Sequence, residues 1–204
     1  RSGAKYMGDF AAPKLEKVKV AIIGVGARGS GHASQLATIE GVDFVAVCDL
    51  NEGRAKRSAD NVTKKGHTPK VYSGEENGWK KMLAETKPDA VFIATPWELH
   101  APMCIESMKA GAHAFTEVPM AYTMKDLWDI VDTSEATGRH CMMMENVNYG
   151  REELIYLNMC RQGVIGELLH GEAAYIHELR GQMENGDSTG SWRTFHYAKR
   201  NGNL

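Results

Sequence analysis

Two periods alternate along most of this 204-residue chain. Short apolar runs at 18–23, 42–48, 70–72, 90–94, 112–116 and 140–144 predict strands. Between them lie stretches at 32–40, 52–64, 76–85, 99–110 and 124–136 that predict helices. Their apolar residues recur at helical spacing, as with Trp79, Met82 and Leu83, or Leu127, Ile130 and Val131. The run at 90–94 is apolar throughout, which marks a strand covered on both faces, as parallel strands are. Gly111 and Gly138 stand where two helices end. Met142, Met143 and Met144 read as core. Regular alternation of strand and helix predicts an α/β domain on a doubly wound parallel sheet.

The pattern changes after residue 150. A helix is predicted over 152–161, Gly163 and Gly166 bracket a turn, and 168–175 alternates like a strand opening a new sheet. From 178 to 204 there is no strong period; Gly, Asn, Ser, Arg and aromatic residues predominate. A structureless tail of that length is unusual in a compact domain. The expected organisation is therefore an arm over 1–17, an α/β domain over 18–150, and the beginning of a second domain over 151–204.

Composition narrows the function classes. An apolar share of 43% supplies a core, and a net charge of −2 gives none of the basic excess that nucleic-acid binding requires. No apolar stretch reaches the roughly 18 residues that span a membrane. Cys48, Cys104, Cys141 and Cys160 are widely spaced, without a C-x-x-C pair, and read as buried thiols rather than a disulfide framework or a zinc site. The eight histidines show no ligand spacing, so no metal is expected. The chain begins at Arg1, without Met, which fits either a processed chain or one cut at a chosen boundary, and no signal peptide is visible; thiols alone point to the cytoplasm.

Candidate chemistry enters at Gly24-Val25-Gly26-Ala27-Arg28-Gly29, which follows the first strand and leads into a helix-compatible segment. Asp49 closes the second apolar run. Strand, glycine turn, helix, strand and acid, in that order, make a dinucleotide-binding (Rossmann) unit. The first glycine permits the tight turn, the second lets a diphosphate approach the backbone, and the third lets helix pack on strand. The helix start offers free N–H groups to the phosphates. A carboxylate at Asp49 accepts ribose hydroxyls and repels a 2′-phosphate, which favours NAD over NADP; Arg54 and Arg57 are read as facing solvent.

In such sheets ligands bind beyond the carboxyl ends of the strands, so residues following each strand are candidates. After the fourth strand come Thr95-Pro96-Trp97-Glu98-Leu99-His100, with a core lid as the plainer alternative for Trp97 and a helix-start role for His100. Glu117 and Val118 follow the fifth strand; Glu117 either faces the nicotinamide ribose or is a surface acid. Asn146 follows the sixth, facing the nicotinamide or serving as an ordinary loop amide. Further on, Tyr175, His177, Arg180, Trp192, Arg193 and His196 combine donors and rings in a way that suits a sugar or a plain polar loop.

The glycine turn, the Thr95-Pro96…His100 loop, the Glu117-Val118-Pro119 turn and Gly166-Glu167-Leu168 resemble the Gfo/Idh/MocA oxidoreductases over roughly residues 18–175. Most dehydrogenases of that family carry E-K-P, whose lysine assists proton transfer; Val118 stands in its place here. That substitution, with Ala27-Arg28-Gly29, Trp97-Glu98-Leu99-His100, Met120-Ala121 and His177-Glu178-Leu179-Arg180…Trp192-Arg193, is similar to glycoside hydrolase family 109. The resemblance implies a bacterial NAD-dependent α-N-acetylgalactosaminidase. In that mechanism a hydride leaves sugar carbon 3, the glycosidic oxygen is eliminated, water adds, and the hydride returns.

It implies NAD contacts at Gly24, Gly26, Arg28, Gly29, Asp49, Trp97, Glu98, Leu99, His100, Glu117, Val118 and Asn146. It places substrate contacts at Tyr175 and Arg193 and the catalytic residues beyond Leu204. It also implies a C-terminal α/β domain with an open sheet, through which homo-oligomers would form, and a periplasmic or secreted protein. An NAD-dependent sugar dehydrogenase and a non-catalytic NAD-binding protein stay open as alternatives.

Overall fold

A computed structural model describes residues 6–174, 176 and 178. By contact the chain divides into two units, Arg1–Met144 and Glu145–Leu204.

The first unit carries six strands: β1 (Val18–Ile23), β2 (Val42–Asp49), β3 (Lys70–Ser73), β4 (Ala90–Ile93), β5 (His113–Thr116) and β6 (Cys141–Met143). They form one sheet in the order β3-β2-β1-β4-β5-β6, every pair parallel. Its helices are α1 (Ala27–Leu36), α2 (Glu52–Thr63), α3 (Gly78–Thr86), α4 (His100–Lys109) and α5 (Met124–Thr137), with a 3-10 turn at Trp97–Leu99. The order reverses between β1 and β4, and it is beyond the strand ends at such a switch point that sheets of this kind bind ligands.

Side chains of a strand alternate between faces, and the core divides accordingly. Val20, Ile22, Phe44 and Val47 pack with Ala33, Ala37, Ala55, Ala59 and Val62 from α1 and α2. Ala21, Ile23, Val91 and Ile93 pack with Trp79, Met82, Leu83, Met103, Cys104, Met108 and Ile130 from α3, α4 and α5. Burying apolar surface on both faces is the main stabilising term, at about 25 cal/mol per Å². Local chemistry sets the helix ends. The Asn51 side chain accepts from Arg54 N–H and starts α2. Thr123 and Asp126 cap α5 reciprocally, and Gly138, at φ +62°, closes it.

Some expectations need correction. The first helix begins at Ala27, not residue 32, because the glycine turn is itself its first turn. Met142 and Met143 are 43% and 37% exposed rather than core, since β6 is the last strand of the sheet. Cys48 and Cys104 are buried as expected, but Cys141 and Cys160 are only partly so. Burial, then the Asp49 charge, pushes the Cys48 thiol up to about 12. The arm crosses to β6, where His140 Nε2 donates to the Phe10 carbonyl at 2.9 Å.

In the second unit α6 (Arg151–Arg161) has acids in its first turn and Arg161 in its last, which complements the helix dipole. It buries no residue. Residues 168–174 form no strand. Alternation marks a strand only when another strand takes up its backbone groups, and among the described residues none pairs with this segment.

Candidate functional site

The loop from β1 to α1 is shaped by close contact. A Cβ on Gly24, where φ is +84°, would lie 2.7 Å from the Ala94 carbonyl oxygen. One on Gly29 would lie 1.9 Å from the Gly24 carbonyl oxygen. Only glycine fits either position. Gly26 differs: the nearest atom to a Cβ there is Arg54 Nη1, at 4.0 Å, so this side of the turn is open. Gly26 caps α1 without a side-chain hydrogen bond, and no acid stands in the first turn. The first N–H groups of a helix have no intrahelical partner, and at the start of α1 no side chain of the cap takes them up. Arg54 was expected to face solvent; it is half-buried and turned toward the loop.

Asp49, at the end of β2, is held by two main-chain donors. Val25 N–H donates to Oδ2 and Asn51 N–H to Oδ1, each at 2.8 Å. A carboxylate has about four acceptor positions, so both oxygens retain capacity for hydroxyl donors.

Beyond β4 the candidates divide. Trp97 and His100 are buried, at 7% and 1% exposure, while Glu98 and Leu99 face outward. The His100 ring ties two loops together: Nε2 lies 2.8 Å from the Thr95 carbonyl oxygen and Nδ1 2.7 Å from that of Pro119. Both ring nitrogens thereby face main-chain oxygens, a neutral ring donating to one of them and an imidazolium to both, and the side chain acts as a strut under the site.

Beyond β5, Glu117 N–H donates to the Ile93 carbonyl at 2.9 Å, which extends the sheet ladder by a residue. Its side chain is 14% exposed. Oε1 accepts from His32 Nε2 at 2.5 Å, and Arg28 Nε stands 3.7 Å away. Burial pushes the Glu117 carboxyl up, but the hydrogen bond and field of His32, the Arg28 guanidinium and the Val118 N–H outweigh it and hold the group below its ordinary 4.5. Val118, partly exposed, precedes Pro119 across a cis peptide.

The structure thus gathers Gly24, Gly26, Arg28, Gly29, Asp49, Glu117 and Val118 at the strand ends of the first unit. Asn146 is in the second unit, half-buried, its N–H donating to Glu145 Oε1 at 2.9 Å. Tyr175 and Arg193 lie outside the described residues. Among the described residues no three His, Cys, Asp or Glu side chains form a metal-sized group, and no helix is long and apolar enough to cross a membrane. His32 is a further candidate, brought to Glu117 by the fold, that sequence reasoning missed. Its signal was available: it stands four residues after Arg28, on the same helix face.

Residues 18–145 match the family model described as oxidoreductase family, NAD-binding Rossmann fold. The chain belongs to the Gfo/Idh/MocA oxidoreductase family. Within that family, its similarity is to glycosyl hydrolase family 109, whose C-terminal domain model matches residues 149–204. Glycosyl hydrolase family 109 protein 1 of Akkermansia muciniphila is 63% identical over all of this chain and 43% of its own length. An α-N-acetylgalactosaminidase of Shewanella oneidensis is 53% identical over all of this chain and 45% of its own. The chain therefore spans less than half the length of these relatives.

Solved structures of Gfo/Idh/MocA oxidoreductases share the fold. An NAD-binding protein from Listeria innocua aligns at TM-score 0.64 and 31% identity over 76% of this chain and 42% of its own. Myo-inositol 2-dehydrogenase from Lactobacillus plantarum aligns at 0.66 and 25% over 74% and 43%.

Proposed function

We propose that the protein carrying this chain is an NAD-dependent glycosidase that removes terminal α-N-acetylgalactosamine by redox elimination. One observation carries the reading: the NAD-binding Rossmann match and the family 109 match follow one another along a single chain. NAD supplies, when bound, a reversible hydride acceptor for sugar carbon 3, so no pair of carboxylates flanking the bond is required.

The residues present fit that cofactor. The open space at Gly26, the uncapped start of α1, Arg28 and Arg54 suit a diphosphate. Asp49 keeps acceptor capacity for ribose hydroxyls. Glu117, ionised and fixed, offers an acceptor to the second ribose. Trp97 and His100 shape the floor of the site between β4 and β5. The Val118 side chain neither donates nor relays a proton, and proton transfer falls to groups elsewhere in the full-length protein. Tyr175 and Arg193 are proposed sugar contacts, in a substrate domain that begins near residue 151.

The test is an aryl α-N-acetylgalactosaminide given to the full-length protein in heavy water with no added NAD. Aryl release with deuterium at sugar carbon 2 is the expected result. No release, with NADH formed from free sugars once NAD is added, would assign the protein to the sugar dehydrogenases instead. NAD binding without turnover of either kind would leave a nucleotide-binding protein.

A further inference from the structure

We infer that His32 is a positioning residue that holds Glu117 ready for the nicotinamide half of the cofactor; the inference rests on the NAD reading above. α1 lies against one face of the sheet, and β5 is two strands away from β1 in the sheet order. The His32 ring nevertheless reaches the carboxylate that follows β5, with a hydrogen bond of 2.5 Å. Both partners are mostly enclosed, at 22% and 14% side-chain exposure, so the contact is not a solvated surface pair, whose worth would be near zero.

The geometry also explains why such a tether is useful. Arg28, one helical turn before His32, stands 3.7 Å from the same Oε1 with 58% of its side chain exposed. Without His32, the Glu117 carboxylate is free to close on Arg28. That motion would turn the acceptor away from the ribose. With Oε1 tied to His32, Arg28 is left as a loose neighbour, and Glu117 keeps one orientation. A positioned acceptor of this kind contributes by pre-organisation, since the side chain is ordered before the ligand arrives.

The inference separates two halves of the ligand, which makes it testable in the full-length protein freed of nucleotide. NADH is titrated by fluorescence and ADP by calorimetry, for the parent protein and for His32→Leu, His32→Gln, Glu117→Gln and His32→Leu combined with Glu117→Gln. Loss of one hydrogen bond to a charged group is worth about tenfold in affinity.

His32→Leu should therefore weaken NADH about tenfold and ADP by less than about twofold, because ADP does not reach Glu117. His32→Gln, which keeps an N–H donor, should recover most of the loss. The double variant should bind NADH no worse than Glu117→Gln alone, because the two residues act as one unit. Equal losses for ADP and NADH, no recovery by glutamine, or additive losses in the double variant would each overturn the inference and leave the NAD reading intact. A parent protein that binds neither NADH nor ADP would overturn both.

Discussion

α1 and α6 are helices of similar length, 10 and 11 residues, built on opposite logic. α1 is poor in helix-forming residues. Gly29, Ser30, Gly31 and Ser34 would leave it unstable in isolation. It forms because Gly29 and Ala33 bury against the sheet, with Gly29 close enough to Gly24 that no side chain fits between them. α6 has good local signals, with acids first and arginine last, yet Leu154, Ile155, Tyr156 and Leu157 all stay 44–64% exposed. One helix is dictated by what it packs on, the other by its own sequence. The candidate site residues of the first unit gather around the packed one.

The sharpest way to break this contrast is Gly29→Val. Its side chain must displace the Gly24 carbonyl, and the expected destabilisation exceeds about 4 kcal/mol, with loss of NADH binding. Chemical denaturation monitored by circular dichroism would show it; a midpoint near that of the parent would mean that the turn relaxes freely.

Next comes His100→Leu, which removes the partner of two carbonyls in a buried place, at an expected cost of about 3 kcal/mol. The same denaturation measurement tests it, and a loss below about 1 kcal/mol would refute the strut.

Glu117→Gln should act through pH. The carboxyl is held below its ordinary 4.5, so its stabilisation is fully present above that value and is lost as pH falls through the lower folded value. Melting temperatures of parent and variant should therefore differ most above pH 4.5 and converge below it. A gap that widened on acidification would reverse the sign.

The smallest effect is expected on the other side of the comparison. Ile155→Ser in α6 of the 204-residue chain should change stability by less than about 0.5 kcal/mol, because the side chain is already 44% exposed. A larger loss by calorimetry would show that α6 is covered in solution.

The same contrast explains what could be read from the residues alone. β1, β2 and β4 were legible because strands buried on both faces need uninterrupted apolar runs, and Val20–Ile23 or Val91–Ile93 offer little else. The start of α1 was misplaced because propensity argues against helix at Gly29-Ser30-Gly31, while packing against β1 overrides it. That misplacement also hid His32, whose partner Glu117 lies 85 residues away. Asp49 and Glu117 were recognisable as acids at strand ends, but not their fixation by Val25, Asn51 and His32, which depends on three-dimensional register. Residues 168–174 alternate correctly for a strand, and alternation cannot report whether a neighbouring strand exists. Met142 and Met143 misled for the same reason: an apolar run does not say that it is the last strand.

The strut formed by His100 has a further consequence. One buried ring joins the Thr95 carbonyl in one loop to the Pro119 carbonyl in the next, so the two loops share a fastening. Neither can open by local fluctuation without releasing the other. In amide hydrogen exchange the residues around 95–100 and 117–120 should therefore behave as one cooperative opening unit with a common protection, although residues 101–116, with the rest of α4 and all of β5, separate them.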